Sequence, residues 1–205
     1  MNEPLQTYPL APLTYAEAKA LQFRLVEAIM RHFSGEEFLQ AGDYGVRPPQ
    51  GKPLATARVE ETLADLLGVE AVVLTQGAGT GAIRAIYGAV AKPGAKVLVH
   101  AAPIYTTTAT TFAAMGLQLT RADFNDLAQT KEVARRVHPD VVHVQHSRQK
   151  PDDAYELAAV IEAVRETVPE AVIVTDENYA AFKTPALGVQ LGADLSTFSL
   201  FKLLG

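Results

Sequence analysis

The sequence predicts a three-layer α/β/α protein, a mostly parallel sheet with helices on both faces. Three observations predict it. From residue 54 onward, short apolar runs alternate with amphipathic segments, the β-α-β-α order of doubly wound folds. Several runs are apolar at consecutive positions, as in Val97-Leu98-Val99, Val141-Val142 and Val172-Ile173-Val174. A strand reads this way when both its faces are covered, as in a buried parallel sheet. Most of the loops that follow these runs carry glycines or charged and hydroxyl residues. In open α/β sheets, ligands bind outside the carboxyl ends of the strands.

Residues 1–12 contain Pro4, Pro9 and Pro12 and read as an extended arm. Thr14 and Glu17 form a capping box, and Leu21, Leu25, Val26, Ile29 and Phe33 then recur at helical spacing. This helix is expected to end near Ser34-Gly35. Residues 42–53 hold Gly42, Gly45, Pro48, Pro49, Gly51 and Pro53, which sustain no regular element. They read as a loop carrying Tyr44, Arg47 and Lys52. A second helix is expected over Thr56–Leu67, striped by Val59, Leu63, Leu66 and Leu67, with Gly68 at its C-cap. Strands are expected at 71–75, 96–100, 117–121, 141–145, 172–175 and 195–199, and helices at 80–91, 105–115, 126–137 and 153–167. Asp153 and Glu156 suggest an N-terminal box for the last helix. The division is an arm, helix and loop over 1–53, followed by one sheet domain over 54–205.

Composition removes several classes of function. Of the 205 residues, 48% are hydrophobic, enough for a sizeable core. The net charge is −5 and no basic block exceeds Arg135-Arg136, which argues against a nucleic-acid surface. No cysteine is present, so disulfides, thiol catalysis and cysteine metal sites are excluded. The N-terminus lacks a basic region followed by an apolar one, and no apolar run reaches the ~18 residues of a membrane helix. A cytoplasmic protein without membrane contact is the expectation.

The strand ends carry the chemistry. After 71–75 comes Gln76-Gly77-Ala78-Gly79-Thr80-Gly81-Ala82, then a helix. Glycines let backbone N–H groups approach an anion, and the helix start favours negative charge. Residues 77–82, including Ala78, Gly79 and Thr80, therefore form a phosphate-cradle candidate; a bare tight turn is the alternative. The loop also fits a dinucleotide fingerprint through Gly77, Gly79 and Ala82, but the next strand ends on His100-Ala101-Ala102 without the required carboxylate. Tyr105 opens the helix beside this loop, either to stack on a planar ring or as a half-buried phenol. Residues 146–151 form a polar loop. His143 and His146 point to opposite faces of a strand and make no metal pair. Asp176 ends an apolar strand, either as a helix cap or as a buried carboxylate facing a cation. Lys202 sits among Phe198, Leu200, Phe201, Leu203 and Leu204. That company reads as a desolvated amine suited to a Schiff base, or as a lysine whose head reaches water.

A phosphate cradle, an aromatic ring, a buried carboxylate and an apolar lysine at the ends of strands in one sheet are together what pyridoxal 5′-phosphate needs. The segment Gly192-Ala193-Asp194-Leu195-Ser196-Thr197-Phe198-Ser199-Leu200-Phe201-Lys202-Leu203-Leu204-Gly205 resembles the end of the large domain in fold-type-I pyridoxal-phosphate enzymes of the cystathionine-lyase and aminotransferase-like branches. Gly79-Thr80 resembles their phosphate turn and Tyr105 their stacking tyrosine. The resemblance covers residues 13–205. It implies that Lys202 and Asp176 are catalytic, the lysine as Schiff base and proton shuttle, the aspartate on the ring nitrogen. It implies that Ser199 and Thr197 add phosphate hydroxyls, and that Gln149 or His146 lies on the ring's O3′ side. It also implies an amino-acid substrate, a homodimer in which Tyr44 and Arg47 reach the neighbouring site, and a small C-terminal domain absent from these 205 residues. Transamination is the first expected activity and β- or γ-elimination the alternative. A nicotinamide-dependent oxidoreductase using residues 77–82, or a silent binding module, are readings of a different class.

Overall fold

The computed structural model describes residues 11–35 and 51–203. Two compact units divide the chain, Leu13–Thr75 and a larger one beginning at Gln76.

In the first unit, α1 (Tyr15–His32) and α2 (Leu54–Leu67) pack together. The expected capping box starts α1: Glu17 N–H donates to Thr14 Oγ1 and Thr14 N–H to Glu17 Oε2. Arg24 donates to the Leu66 carbonyl, and Arg31 pairs with Asp65 at 2.8 Å. Val26 is exposed, outside the packed stripe formed by Ala28 and its neighbours. Gly68 ends α2 with φ 63°, the left-handed cap its position predicts. The expected strand at 71–75 does not form. Val73 is exposed, and Leu74 N–H is satisfied by the Glu60 carboxylate at 2.8 Å instead of by a neighbouring strand. Lys52 of the 42–53 loop pairs with that same carboxylate. Tyr44 and Arg47 lie outside the described residues.

The second unit runs α3 (Ala78–Val90), β1 (Lys96–His100), α4 (Thr106–Ala114), β2 (Gln118–Ala122), α5 (Leu127–Val137), β3 (Val141–Gln145), α6 (Leu157–Thr167), β4 (Val172–Asp176), a 3₁₀ turn (Gly188–Leu191), β5 (Leu195–Thr197) and α7 (Leu200–Leu203). All strand pairs are parallel, in the order β2-β1-β3-β4-β5. Alternation along each strand builds the three layers. Val97, Val99, Val141 and Val174 face α3 and α4 through Ile83, Tyr87 and Phe112. Leu98, Val142, Val144 and Ile173 face α5 and α6 through Val133, Val160, Ile161 and Val164. The fold class is therefore the predicted one. Strand order reverses between β1 and β3, the switch point where such sheets place ligands. The loops after β1 and β3 flank it.

The last long helix starts at Leu157, four residues later than expected, with Glu156 rather than Asp153 at its N-cap. Asp153 has a different task. Phe124 N–H donates to His100 Nδ1, so the ring proton sits on Nε2 and is donated to Asp153 Oδ1 at 2.9 Å. Gln149 N–H, Lys150 N–H and Asn125 Nδ2 complete the shell of this buried carboxylate. Burial pushes its pKa up, but these donors outweigh that and hold it below the ordinary 3.8. Asp153→Ala would strand four donors and is expected to cost about 3 kcal/mol in urea unfolding. Because its folded value is depressed, the aspartate's contribution is complete above the unfolded value and is lost as pH falls through the folded one. The urea midpoint of the native protein is therefore expected to fall more steeply than that of Asp153→Asn below about pH 4.

Candidate functional site

The site is assembled at the C-terminal edge of the sheet in the second unit. Gly77 caps α3 with φ 93°, and Ala78 follows with φ 53°. These left-handed residues turn the chain so that α3 begins at once and its free N–H groups face outward from the first turn. A Cβ at Gly79 would overlap the side-chain amide of Asn178. The glycine is thus needed for close approach between the start of α3 and the loop after β4. Gly79→Ala is expected to cost about 2 kcal/mol, read as a lowered melting temperature, because the short Asn178 side chain must be displaced. Thr80 Oγ1 lies 3.0 Å from Thr107 Oγ1 and ties this turn to the start of α4.

Asp176 ends β4 on the face of the sheet covered by α3, with 6% of its surface exposed. Its Oδ1 accepts Asn178 N–H at 2.9 Å. The charge is felt by two buried rings on that face. Burial pushes the Tyr87 phenol well up, and the carboxylate adds to it. Burial pushes the His143 imidazole down, and the carboxylate only partly restores it. His143 packs edge-on to Phe112, whereas His146 pairs with Glu177, so the two histidines are separated as strand alternation predicts. Among the described residues no group of three or more metal-binding side chains occurs.

Lys202 departs from its expected setting. It is exposed, Phe201 beside it is 81% exposed, and Phe198 turns away to pack on Phe182. Among the described side chains no apolar wall surrounds the amine. The one-turn helix α7 points residues 201 and 202 outward, and the ammonium is met by aromatic faces instead. Nζ lies 4.6 Å from the Tyr179 ring centroid and 5.8 Å from that of Tyr105. Both rings are 53% exposed, so the lysine lies at an accessible mouth. Leu204 lies outside the described residues.

Ser199 is 1% exposed and its hydroxyl has no hydrogen-bond partner among the described residues; the Asn178 amide oxygen is likewise buried without one. Thr197 is buried and donates to the Thr175 carbonyl at 3.3 Å. Gln149 donates its side-chain amide to the Pro103 carbonyl at 3.0 Å, so the loop after β3 is fastened to the segment leading into Tyr105. Contacts therefore connect Gly79, Asn178 and Asp176, and separately Lys202, Tyr105 and Tyr179. Asn178 and Tyr179, in the same loop, join the two sets. Sequence reading gave these two residues no role. Their only signal was position, directly after a strand that ends in a carboxylate.

A parallel α/β/α sheet here places a lysine, a carboxylate and a glycine turn at one edge, and comparison with known proteins finds the same sheet architecture. No family model matches the chain. Over 201 residues it is 49% identical to the Escherichia coli (strain K12) protein YhfS, covering 98% of this chain and 55% of that one. The crystal structure of YhfS, described as pyridoxal-5′-phosphate dependent, superposes with a TM-score of 0.92 at 48% identity over the same shares. A carbon-sulfur lyase involved in aluminum resistance from Clostridium novyi NT matches at TM-score 0.72 and 16% identity, over 87% of this chain and 47% of that one. Cystathionine gamma synthase from Xanthomonas oryzae pv. oryzae matches at 0.65 and 22%, over 87% and 49%. The last two share the fold. The chain spans about half the length of the curated relative it matches.

Proposed function

We propose that this chain is the cofactor-binding part of a pyridoxal-phosphate enzyme acting on an amino acid, with carbon–sulfur bond elimination as its reaction. The observation that carries the reading is the lysine set against two accessible tyrosine faces, one of them in the loop that also holds a buried aspartate and abuts a glycine turn. The likeness to YhfS, described as dependent on this cofactor, supports it. The residues fit the group. Ser199 offers a buried hydroxyl without a partner among the described residues, α3 offers N–H groups behind Gly79, and Asp176 offers a buried carboxylate on the same side of the sheet. Ala78, Gly79, Thr80 and Ser199 would hold the phosphate; Thr197 would support it from behind. Tyr105 would stack on the ring, Asp176 would hold the proton on its nitrogen, and Gln149 would border its far edge.

When bound, pyridoxal phosphate supplies an aldehyde for Lys202 and an electron sink for the substrate's Cα. Lys202 Nζ then moves the proton at Cα, from a position reached by solvent and flanked by the two rings. Asp176, buried and tied by Asn178 N–H, keeps its charge directed at one atom without reorganising. The neighbours' described activities, a carbon-sulfur lyase and a gamma synthase, favour elimination or replacement over the transamination first expected. A nicotinamide site is disfavoured because that fingerprint requires a strand leading into its glycine turn, and residues 71–75 form none.

The test is to load the intact protein with pyridoxal phosphate and offer two sets of substrates. S-substituted cysteine and homocysteine derivatives are expected to release a thiol, ammonia and a 2-oxo acid. Amino transfer to an added 2-oxo acid, without thiol release, would show transamination instead.

A further inference from the structure

Residues 176–179 contribute three side chains to the site, and the fourth points the other way. Asp176 offers its carboxylate, Asn178 abuts Gly79, and Tyr179 lies under Lys202. Glu177 shares the opposite side of the sheet end with Thr175 and is fully buried, at 0% exposure. No step of the proposed chemistry uses it. A carboxylate buried to this degree is held only when its oxygens are satisfied.

They are satisfied from four directions. Oε1 accepts Gly188 N–H at 2.7 Å, the Thr175 hydroxyl at 2.8 Å and the Ser196 hydroxyl at 3.5 Å. Oε2 pairs with His146 Nδ1. These partners come from β4, the 3₁₀ turn, β5 and the loop after β3. Gly188 sits directly against Thr175, with no room for a Cβ. The backbone is fixed at the same level: Glu177 N–H donates to the Thr197 carbonyl at 2.7 Å, and His146 N–H to the Asp176 carbonyl at 2.9 Å.

We infer that Glu177 is a positioning residue, the peg that sets the turn 176–179 and so aims Asp176, Asn178 and Tyr179 into one site. Asp176 has a single hydrogen-bond anchor for its carboxylate within this turn, the Asn178 N–H, so the direction of the carboxylate follows the turn's geometry. Removing the peg frees the turn while leaving the three site side chains chemically intact. The inference rests on the reading of Asp176 as the partner of a bound pyridoxal ring.

The experiment uses the intact protein. Amide hydrogen exchange is measured without cofactor for the native protein, Glu177→Ala and Glu177→Gln. Peptides covering 176–179 are expected to exchange at least 10-fold faster in Glu177→Ala, while amides of 97–99 in β1 change less than 2-fold. Glutamine keeps an oxygen for Gly188 N–H and Thr175, so Glu177→Gln is expected to give about a 3-fold rise in the same peptides. If Glu177→Ala does not fold, the glutamine variant alone decides. Pyridoxal-phosphate affinity supplies the second readout: the losses in Asp176→Asn and Glu177→Ala are expected to overlap, the double variant staying within 3-fold of Asp176→Asn. Unchanged exchange at 176–179, exchange raised equally throughout, or losses that multiply would each overturn the peg. Native protein that takes up no pyridoxal phosphate, together with local exchange as expected, would remove the cofactor reading and leave the peg standing.

Discussion

Lys202→Ala is expected to lower turnover at least about 10³-fold while leaving the fold almost unchanged. The chemical side follows from the amine's role, since no other lysine is placed against Tyr105 and Tyr179 among the described residues. Removing a covalent nucleophile that also shuttles a proton takes away both contributions at once. The structural side follows from exposure. Lys202 makes two ring contacts at the surface, each worth about 0.5–1 kcal/mol, so unfolding in urea is expected to shift by no more than ~1–2 kcal/mol. A variant that is inactive because it is unfolded would not separate these. A native far-ultraviolet spectrum and urea midpoint, together with lost turnover, would.

Asp176→Ala is the second large effect. A buried carboxylate aimed at a charge in the site contributes about 10²–10³-fold to rate. The expected loss in kcat/KM is of that size, with a weaker hold on pyridoxal phosphate. The variant also frees the Asn178 N–H, costing roughly 1 kcal/mol of stability. A further consequence concerns His143. Burial lowers this imidazole and the aspartate's charge partly restores it, so removing the charge lets burial act unopposed. A depressed histidine contributes stability that is complete above its unfolded value, ordinarily near 6.5, and is lost as pH falls through the folded value. Asp176→Ala is therefore expected to steepen the loss of stability below about pH 6.5, measured by urea midpoints across that range.

What the sequence made legible, and what it did not, divides along local and long-range physics. Strands β1, β3 and β4 are read from runs such as Val141-Val142 because double-faced burial is a local demand on composition. Gly77 and the Thr14–Glu17 box are equally local, since each answers a turn or a cap. The run at 71–75 has the same apolar signal as the true strands, yet a strand needs a neighbour, and Leu74 N–H finds Glu60 instead. Asp153 stands three residues before a glutamate and resembles a cap, but two amides of the preceding loop and the distant side chains of His100 and Asn125 claim its carboxylate. Lys202 has apolar neighbours in sequence and aromatic ones in space, because one turn of α7 exposes Phe201 and brings Tyr179 from 23 residues earlier. Glu177 carries no local mark at all. Its partners lie 2, 11, 19 and 31 residues away, and only the assembled sheet brings them together.

Reductive trapping decides whether Lys202 is the covalent anchor of pyridoxal phosphate. The intact protein is incubated with pyridoxal phosphate, reduced with borohydride, digested and analysed by mass spectrometry. One phosphopyridoxyl group is expected, on Lys202, absent from Lys202→Ala treated in the same way. A reduced adduct on another lysine, or a folded protein that carries none, would contradict it.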